Sequence, residues 1–282
     1  MPLSVIDLYR KILPKTNCGD CGFQTCLAFA SMVVSERLPL KKCPHLEAEI
    51  VQQVQAELDE QYAQGKWTKK DPAADALEWA RERAASMNLR DIAERIGGKV
   101  RKKDGDDLVE LPYFNTSIHI TSDGVSMADN TPLNRWEQVF IFNHMAQGGG
   151  SLPSGKWKSF EEIPNTVSKL VSMRNHVEAP LVERFGGRGE ELLQAGLAIG
   201  GKPATDTGGN PDLALHFTPM PRVPVMLLFW DEVPEESFGA QVKLLFDTTI
   251  VEHLDIESIM FLSERIRQLL IDAASAQEAW DP

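Results

Sequence analysis

The residues with the clearest chemistry in this chain are its cysteines, which all lie within the first 43 of 282 positions. They are Cys18, Cys21, Cys26 and Cys43, and the last of them precedes Pro44. Three closely spaced thiols, a gap and a fourth thiol before proline form a spacing typical of iron–sulfur ligands. Four thiolates complete the coordination of one cubane cluster. The sequence therefore predicts one 4Fe–4S cluster and leaves no cysteine for a second.

Two other uses of four cysteines remain open at this point. Structural zinc sites also take four, but they usually pair them as two C-x2-C knuckles, and here only Cys18 and Cys21 form such a pair. Disulfides require an oxidising compartment. The N-terminus has neither the basic start nor the long apolar core of a signal peptide, and no later stretch is apolar for long enough to span a membrane. We therefore expect a cytoplasmic protein that binds a cluster.

The residues between the cysteines fit a loop wrapped around a cluster. Gly19 and Gly22 follow the first two cysteines and allow the positive φ angles and close backbone approach that such a loop needs. From Thr25 the pattern predicts a short helix that ends near Pro39. Cys26 would lie in its first turn, where the helix dipole favours a thiolate. Residues 1–45 carry a net charge of +3 within a chain of −12, which would offset the charge of an anionic cluster.

The run from Leu13 to Ala30, LPKTNCGDCGFQTCLAFA, resembles a known module. It is similar to the four-cysteine 4Fe–4S module of the corrinoid iron–sulfur protein large subunit, part of the acetyl-CoA decarbonylase/synthase system, and to that of the B subunit of the Rnf electron-transport complex. The resemblance implies that the four cysteines are the cluster ligands, and it covers about a sixth of the chain. The whole arrangement resembles a family of anaerobe proteins in which this module precedes a C-terminal domain of unknown function.

The elements around this module predict an α+β protein with two domains. Apolar residues recur at helical spacing from Leu46 to Leu58, so residues 1–64 form a small helical module with an exit helix. Residues 65–72 are the predicted linker, and residues 73–282 are the larger domain. Its strands and helices occur in blocks, which favours a mixed or antiparallel sheet. Strands are predicted near 108–114, 117–120, 212–218, 223–230 and 242–247, a hairpin turn at 122–125, and helices near 133–147, 165–184, 189–199 and 255–274.

The larger domain offers few residues with a readable chemistry, so its catalytic residues are unknown. The loop from Gly150 to Trp157 nearly fits a phosphate-binding pattern, but Trp157 stands where a magnesium-binding hydroxyl is required, and the loop follows a helix. If the domain holds a haem or a corrinoid as a second cofactor, the candidate axial ligands are His119, His144 and His216. Asp231 and Glu232 directly follow a very apolar predicted strand. This carboxylate pair fits either a site for chemistry at the strand end or an ordinary boundary between a strand and a turn.

Composition and charge limit the classes of function. A net charge of −12 and a pI near 5.0 argue against nucleic-acid binding, which needs a basic footprint. We expect single-electron transfer in anaerobic metabolism, either with a redox protein partner or to a corrinoid or other cofactor system. The alternative is an enzyme whose active site lies in the second domain, with an accessory cluster. The sequence does not decide between the electron-transfer protein and the enzyme, and it does not determine the oligomeric state.

Overall fold

A computed structural model describes residues 3–66, 72–85, 88–103, 106–121, 124–205, 207–232 and 239–278 of the chain. The chain divides into two compact units, Met1–Asp75 and Ala76–Pro282. Most of the predicted linker, residues 67–71, lies outside the described residues, and so do residues 122 and 123 of the predicted hairpin turn. The predicted domain bounds of 1–64 and 73–282 stay predictions. Within the described residues, no helix is both long enough and apolar enough to cross a membrane.

The first unit is helical. Thr25 caps the helix Cys26–Glu36 by accepting a hydrogen bond from the Ala28 amide at 3.1 Å. This helix ends at Arg37, whose left-handed φ of 54° stops it before Pro39 is reached, slightly earlier than the sequence predicts. The other elements are the turn Val5–Asp7, the π-helical Leu8–Ile12, the 3₁₀ turn Leu40–Lys42 and the exit helix Ala48–Ala63.

A small apolar core joins these helices to one another. Its centre is formed by Leu8, Phe29, Leu40 and Leu58, each at most 1% exposed. Tyr62, near the end of the exit helix, donates its hydroxyl to the carbonyl of Val33 at 2.6 Å. Burial raises the pKa of this hydroxyl, so it remains a neutral donor. The exit helix is thereby fastened to the helix that begins with Cys26.

The second unit contains two antiparallel sheets. The strands are β1 Lys99–Lys103, β2 Asp106–Tyr113, β3 Thr116–Ile120, β4 Val125–Met127, β5 Trp157–Ser159, β6 Lys202–Pro203, β7 Leu213–Met220, β8 Val223–Trp230 and β9 Gln241–Asp247. The first sheet has the strand order β1-β2-β3-β4, and its register pairs Val109 of β2 with Ile120 of β3. The second sheet has the order β5-β9-β8-β7-β6, and β8 is buried along its length up to Trp230. The predicted α+β class is confirmed, and every described strand pair is antiparallel.

Helices complete the core of the second unit. The long C-terminal helix packs against the helices Arg135–Gln147 and Gly189–Ala198. A buried carboxylate, Glu137, lies at this junction, where it accepts from the Tyr113 hydroxyl at 2.8 Å and pairs with Arg265 at 2.7 Å. The helices are Pro72–Ala85, Leu89–Ile96, Arg135–Gln147, Leu170–Met173, the π-helical Arg174–Glu178, Ala179–Phe185, Gly189–Ala198, Ile250–His253 and Ile256–Glu278.

Candidate metal centre

The four cysteines of the first unit are free thiols that lie close to one another. Cys26 and Cys43 are each 6% exposed within the apolar core, Cys21 is half-buried against the same core, and Cys18 is exposed. Burial raises the pKa of the Cys43 thiol, and charge on Cys21, Cys26 and Cys18 raises it further, while the backbone N–H of His45 opposes the shift. Cys21, Cys26 and Cys43 lie in or against one apolar core, and the Cys18 sulfur lies within 4.8 Å of His45, two residues after Cys43. The structure therefore places the four predicted ligands in one part of the first unit, with Cys18 at its exposed edge.

The loop that carries Cys18 and Cys21 is built from left-handed backbone. Gly19 and Gly22 have φ of 83° and 87°, and the Gly22 amide donates to the Gly19 carbonyl at 2.8 Å. The protein places no atom within 4 Å of a Cβ added at either glycine, so backbone conformation alone explains the residue type. The predicted positive φ angles are confirmed. They turn the backbone sharply after each of these two cysteines.

Asn17 fixes the start of the helix Cys26–Glu36, and the sequence analysis did not identify this role. Its side-chain oxygen accepts from the backbone amide of Cys26 at 2.9 Å, and its own φ is 50°. Cys26 is the first residue of the helix, as predicted, so its thiol lies at the positive end of the helix dipole. The Asn17 bond ties the residue before Cys18 to the residue that holds the third thiol. An asparagine nine positions away gives no sequence signal for this contact.

A second polar pair links the two ends of the cysteine group. His45 Nε2 lies 2.6 Å from Asp20 Oδ2, and both side chains are about half exposed. The His45 ring, then the Cys18 thiol, lower the pKa of the Asp20 carboxyl by hydrogen bonding to it. The ligand atoms of Cys18, Asp20 and His45 all lie within 4.8 Å of one another. The pair therefore joins the Cys18 loop to the segment that carries Cys43.

A groove of about 580 Å³ runs beside the fourth cysteine. Its walls come from Cys43 and Pro44 on one side and from the exit helix, including Val51 and Gln55, on the other. Lys41 also lines it, and Lys41 and Lys42 are both exposed. Asp59 lines the far side of the groove, so the surface beside Cys43 is accessible and has its lysines next to Cys43 itself.

In the second unit, the glycine-rich loop is held by a carboxylate of the chain itself. Asp247, at the end of β9, is 1% exposed. It accepts from the backbone amides of Ser154 and Gly155 at 3.0 and 2.7 Å and from the Thr249 amide at 3.0 Å. The loop follows the helix Arg135–Gln147, as expected. Its N–H donors are thus directed at a protein carboxylate, which gives the loop a structural role.

The three histidines considered as axial ligands lie on three different elements. His119 is on β3 opposite Glu110, and half-buried His216 on β7 packs edge-on against Trp157. His144 is fully buried in the helix Arg135–Gln147, and its ring lies 5.5 Å from that of His253. The partner of His144 is therefore His253, which sequence reasoning missed.

The two buried histidines are held in defined tautomers. His144 Nδ1 lies 3.2 Å from the His253 carbonyl, and His253 Nε2 lies 3.1 Å from the Ser151 carbonyl. A carbonyl oxygen only accepts, so each of these nitrogens carries the proton. Burial lowers the pKa of His144 to about 3 and also lowers the pKa of His253. Both rings are neutral parts of the core near neutral pH.

The acidic residues that follow β8 also have structural partners. Asp231 accepts from the backbone amides of Gly187 and Gly189 at 2.7 and 3.3 Å. Gly189 begins a helix, so the carboxylate lies at the positive end of that helix. Of the two interpretations of this strand end, the contacts fit the ordinary structural boundary.

The fold and the cysteine group together define a protein with an iron–sulfur type module and an antiparallel α+β domain. Residues 13–45 match a family model described as "Putative Fe-S cluster". Residues 88–268 match the family described as "Domain of unknown function (DUF3786)". Because this second match covers more than half of the chain, the protein belongs to the DUF3786 family. The resemblance stated from the sequence is thereby confirmed, and an iron–sulfur cofactor is supported.

Curated relatives extend the comparison beyond the cysteine module. The chain is 25% identical over 193 residues to the acetyl-CoA decarbonylase/synthase complex subunit gamma 1 of Methanosarcina thermophila, covering 67% of this chain and 36% of the relative. It is 48% identical over 46 residues to the corrinoid/iron-sulfur protein large subunit of Moorella thermoacetica, covering 16% of this chain and 10% of the relative. The match thus spans about a third, or less, of these relatives' lengths. No solved structure matches the chain.

Proposed function

We propose that this protein binds one 4Fe–4S cluster through Cys18, Cys21, Cys26 and Cys43 and uses it for single-electron transfer in anaerobic metabolism. The observation that carries the proposal is the placement of four free thiols in one part of the first unit, three of them in or against one apolar core and Cys18 within 4.8 Å of His45. Four thiolates are the ligand set of a cubane. The names of the curated relatives, an iron–sulfur protein and subunits of an acetyl-CoA complex, support the metabolic setting.

The residues around the thiols fit such a cluster. Its one-electron chemistry would be supplied by the iron and sulfide when bound, and the protein would tune and position it. The backbone N–H of His45 opposes the rise in the pKa of the Cys43 thiol, and N–H groups that favour a thiolate in this way raise the reduction potential of a cluster. Leu8, Leu13 and Phe29 exclude water from the buried side. Asn17 holds the loop that carries Cys18 to the start of the helix that carries Cys26.

The exposed edge supports electron exchange with another protein. Cys18 is open to solvent while Cys26 and Cys43 are buried, so a partner could approach the cluster from one side. Lys41 and Lys42 are exposed beside Cys43 and would attract an acidic redox partner. We place the protein in the cytoplasm. A corrinoid system is the sharpest form of the proposal, and it is supported by the name of one relative alone.

Reduction under anaerobic conditions tests the redox role. The reconstituted full-length chain should accept one electron from dithionite and give a paramagnetic signal at low temperature. A second test adds an acidic ferredoxin as donor and compares rates for the wild type and for the Lys41→Glu/Lys42→Glu variant at low and high salt. The variant should be slower at low salt, and the difference should vanish at high salt because screening removes it. A cluster that stays unreduced at strongly negative potential would reject electron transfer.

A further inference from the structure

The cysteine group has one corner that differs from the others. Cys18 is exposed, whereas Cys26 and Cys43 are buried in the apolar core. An iron bound by Cys18 would therefore be the one nearest to solvent. Exposed iron corners exchange ligands more readily than buried ones, because solvent and neighbouring side chains can reach them. The residues beside Cys18 thus determine what happens at that iron.

One oxygen donor, from Asp20, and one nitrogen donor, from His45, lie beside the Cys18 sulfur. The ligand atoms of Cys18, Asp20 and His45 are all within 4.8 Å of one another. Two ligand atoms of one tetrahedral metal, with bonds near 2.3 Å for sulfur and 2.0 Å for oxygen, lie roughly 3.5 Å apart. A small side-chain rotation would therefore bring Asp20 to an iron bound at Cys18. Within the described residues, no other group of three such donors lies this close together.

The carboxylate is the better ligand of the two neighbours. The Asp20 ligand oxygen lies within 4.8 Å of the Cys18 sulfur. His45 Nε2 is engaged with Asp20 Oδ2 at 2.6 Å. A ligating carboxylate that is held by a hydrogen bond from a second residue is a usual arrangement in metal sites. In this arrangement His45 would orient Asp20 toward an iron bound at Cys18.

We propose that Asp20, oriented by His45, is a reserve ligand for the iron that Cys18 binds, and that its carboxylate takes the fourth coordination position when Cys18 supplies no thiolate. The inference rests on the proposed function, since it requires a cluster at the four cysteines. The exchange would be a ligand substitution without electron transfer: the bond from iron to the Cys18 sulfur would break, the sulfur would take a proton from solvent and leave as a thiol, and a bond from iron to an Asp20 oxygen would form. It also makes the four cysteines unequal. Loss of Cys18 leaves a complete donor set, whereas loss of Cys26 does not.

The test compares full-length variants reconstituted anaerobically with iron and sulfide. Cys18→Ala should keep about four irons per chain by the cubane stoichiometry, and Cys26→Ala should lose the cluster or one iron of it. Cys18→Ala/Asp20→Ala should lose the retained iron. Cys18→Ala/His45→Gln should release iron to a chelator roughly tenfold faster than Cys18→Ala, because the oriented carboxylate is disturbed.

Mössbauer spectra of the ⁵⁷Fe-loaded variants provide a readout independent of iron content. In Cys18→Ala one iron should show the higher isomer shift of an oxygen ligand, and this signal should vanish in the double variant with Asp20→Ala. Retention of the same signal in that double variant would identify a solvent ligand and overturn the proposal. Complete cluster loss from Cys18→Ala would overturn it as well. Failure of the wild-type chain to assemble a cluster would instead refute the proposed function, so the two failures are distinguishable.

Discussion

Asp247 is predicted to stabilise the second unit by closing the glycine-rich loop on β9. Its carboxylate is 1% exposed and accepts five hydrogen bonds, from the amide and hydroxyl of both Ser154 and Thr249 and from the amide of Gly155. Burial by itself raises the pKa of Asp247, but the bonds from Thr249 and Ser154 outweigh it and the net shift is downward. The folded protein therefore prefers the charged carboxylate over the neutral one.

The expected cost of removing this carboxylate follows from its partners. Hydrogen bonds to a charged group contribute about 1.5–3 kcal/mol each, and a donor left unsatisfied in the interior costs about 1–3 kcal/mol. Adding these energies for all five bonds would overestimate the loss of stability, because Ser154 and Gly155 are exposed and their donors can bind water instead. We expect Asp247→Ala to lower the free energy of unfolding by about 3 kcal/mol. Asp247→Asn keeps one acceptor oxygen and should cost about half as much.

Urea denaturation followed by tryptophan fluorescence measures this change. Trp79, Trp136, Trp157 and Trp230 all belong to the second unit, so the signal reports mainly on it, and Trp157 lies opposite Asp247 in the β5–β9 pair. Asp212→Ala is the matched control, because exposed Asp212 accepts a bond from the Asp231 amide at 2.8 Å and should contribute much less. If Asp247→Ala and Asp212→Ala lower stability equally, the carboxylate does not hold the loop.

Three further predictions concern the cysteine module and the buried histidines. Cys43→Ala should prevent full cluster assembly while the tryptophan-monitored unfolding of the second unit stays unchanged, since no cysteine lies there; a shifted second-unit transition would contradict this. Lys41→Glu/Lys42→Glu should lower the reduction potential in film voltammetry, because added negative charge disfavours the reduced cluster; an equal or higher potential would contradict it. Burial lowers the pKa of His144 from 6.5 to about 3, so this residue should lower the stability of the second unit by up to about 1.4 kcal/mol per pH unit as the pH falls below 6.5. His253 and His216, whose pKa values burial also lowers, should add to that slope. His144→Gln should reduce the slope in denaturation curves between pH 5 and 7, and an unchanged slope would contradict the role of His144.

The cysteine module could be predicted from the sequence because its chemistry depends on residue type and short spacing. Four cysteines within one segment indicate a ligand set, and the glycines after Cys18 and Cys21 indicate a left-handed loop, which the structure confirms. The polar supports could not be predicted in the same way. Asn17 contacts a residue nine positions away and Asp20 contacts one 25 positions away, so neither contact leaves a local pattern. Only the folded loop brings these side chains together.

The second unit also contains strands and core contacts that have no local sequence pattern and could not be predicted. The apolar run of β8 was predicted, because a central strand needs apolar residues on both faces. β1, with the sequence KVRKK, and the short strands β4, β5 and β6 were missed, and Val125 of the predicted hairpin turn belongs to β4. These strands lie at the edges of their sheets and are fixed by backbone pairing with a neighbour, not by an apolar pattern of their own. The pairing of His144 with His253 spans 109 residues and has no sequence signature.

Metal and sulfide analysis of the anaerobically purified chain tests the central claim most directly. The claim is that Cys18, Cys21, Cys26 and Cys43 together bind one cubane cluster. Iron and acid-labile sulfide should be equal, at about four of each per chain, and both should drop when Cys26 is replaced by alanine. Stoichiometric zinc without sulfide in the same preparation would contradict the account, because it would identify the cysteine group as a structural zinc site.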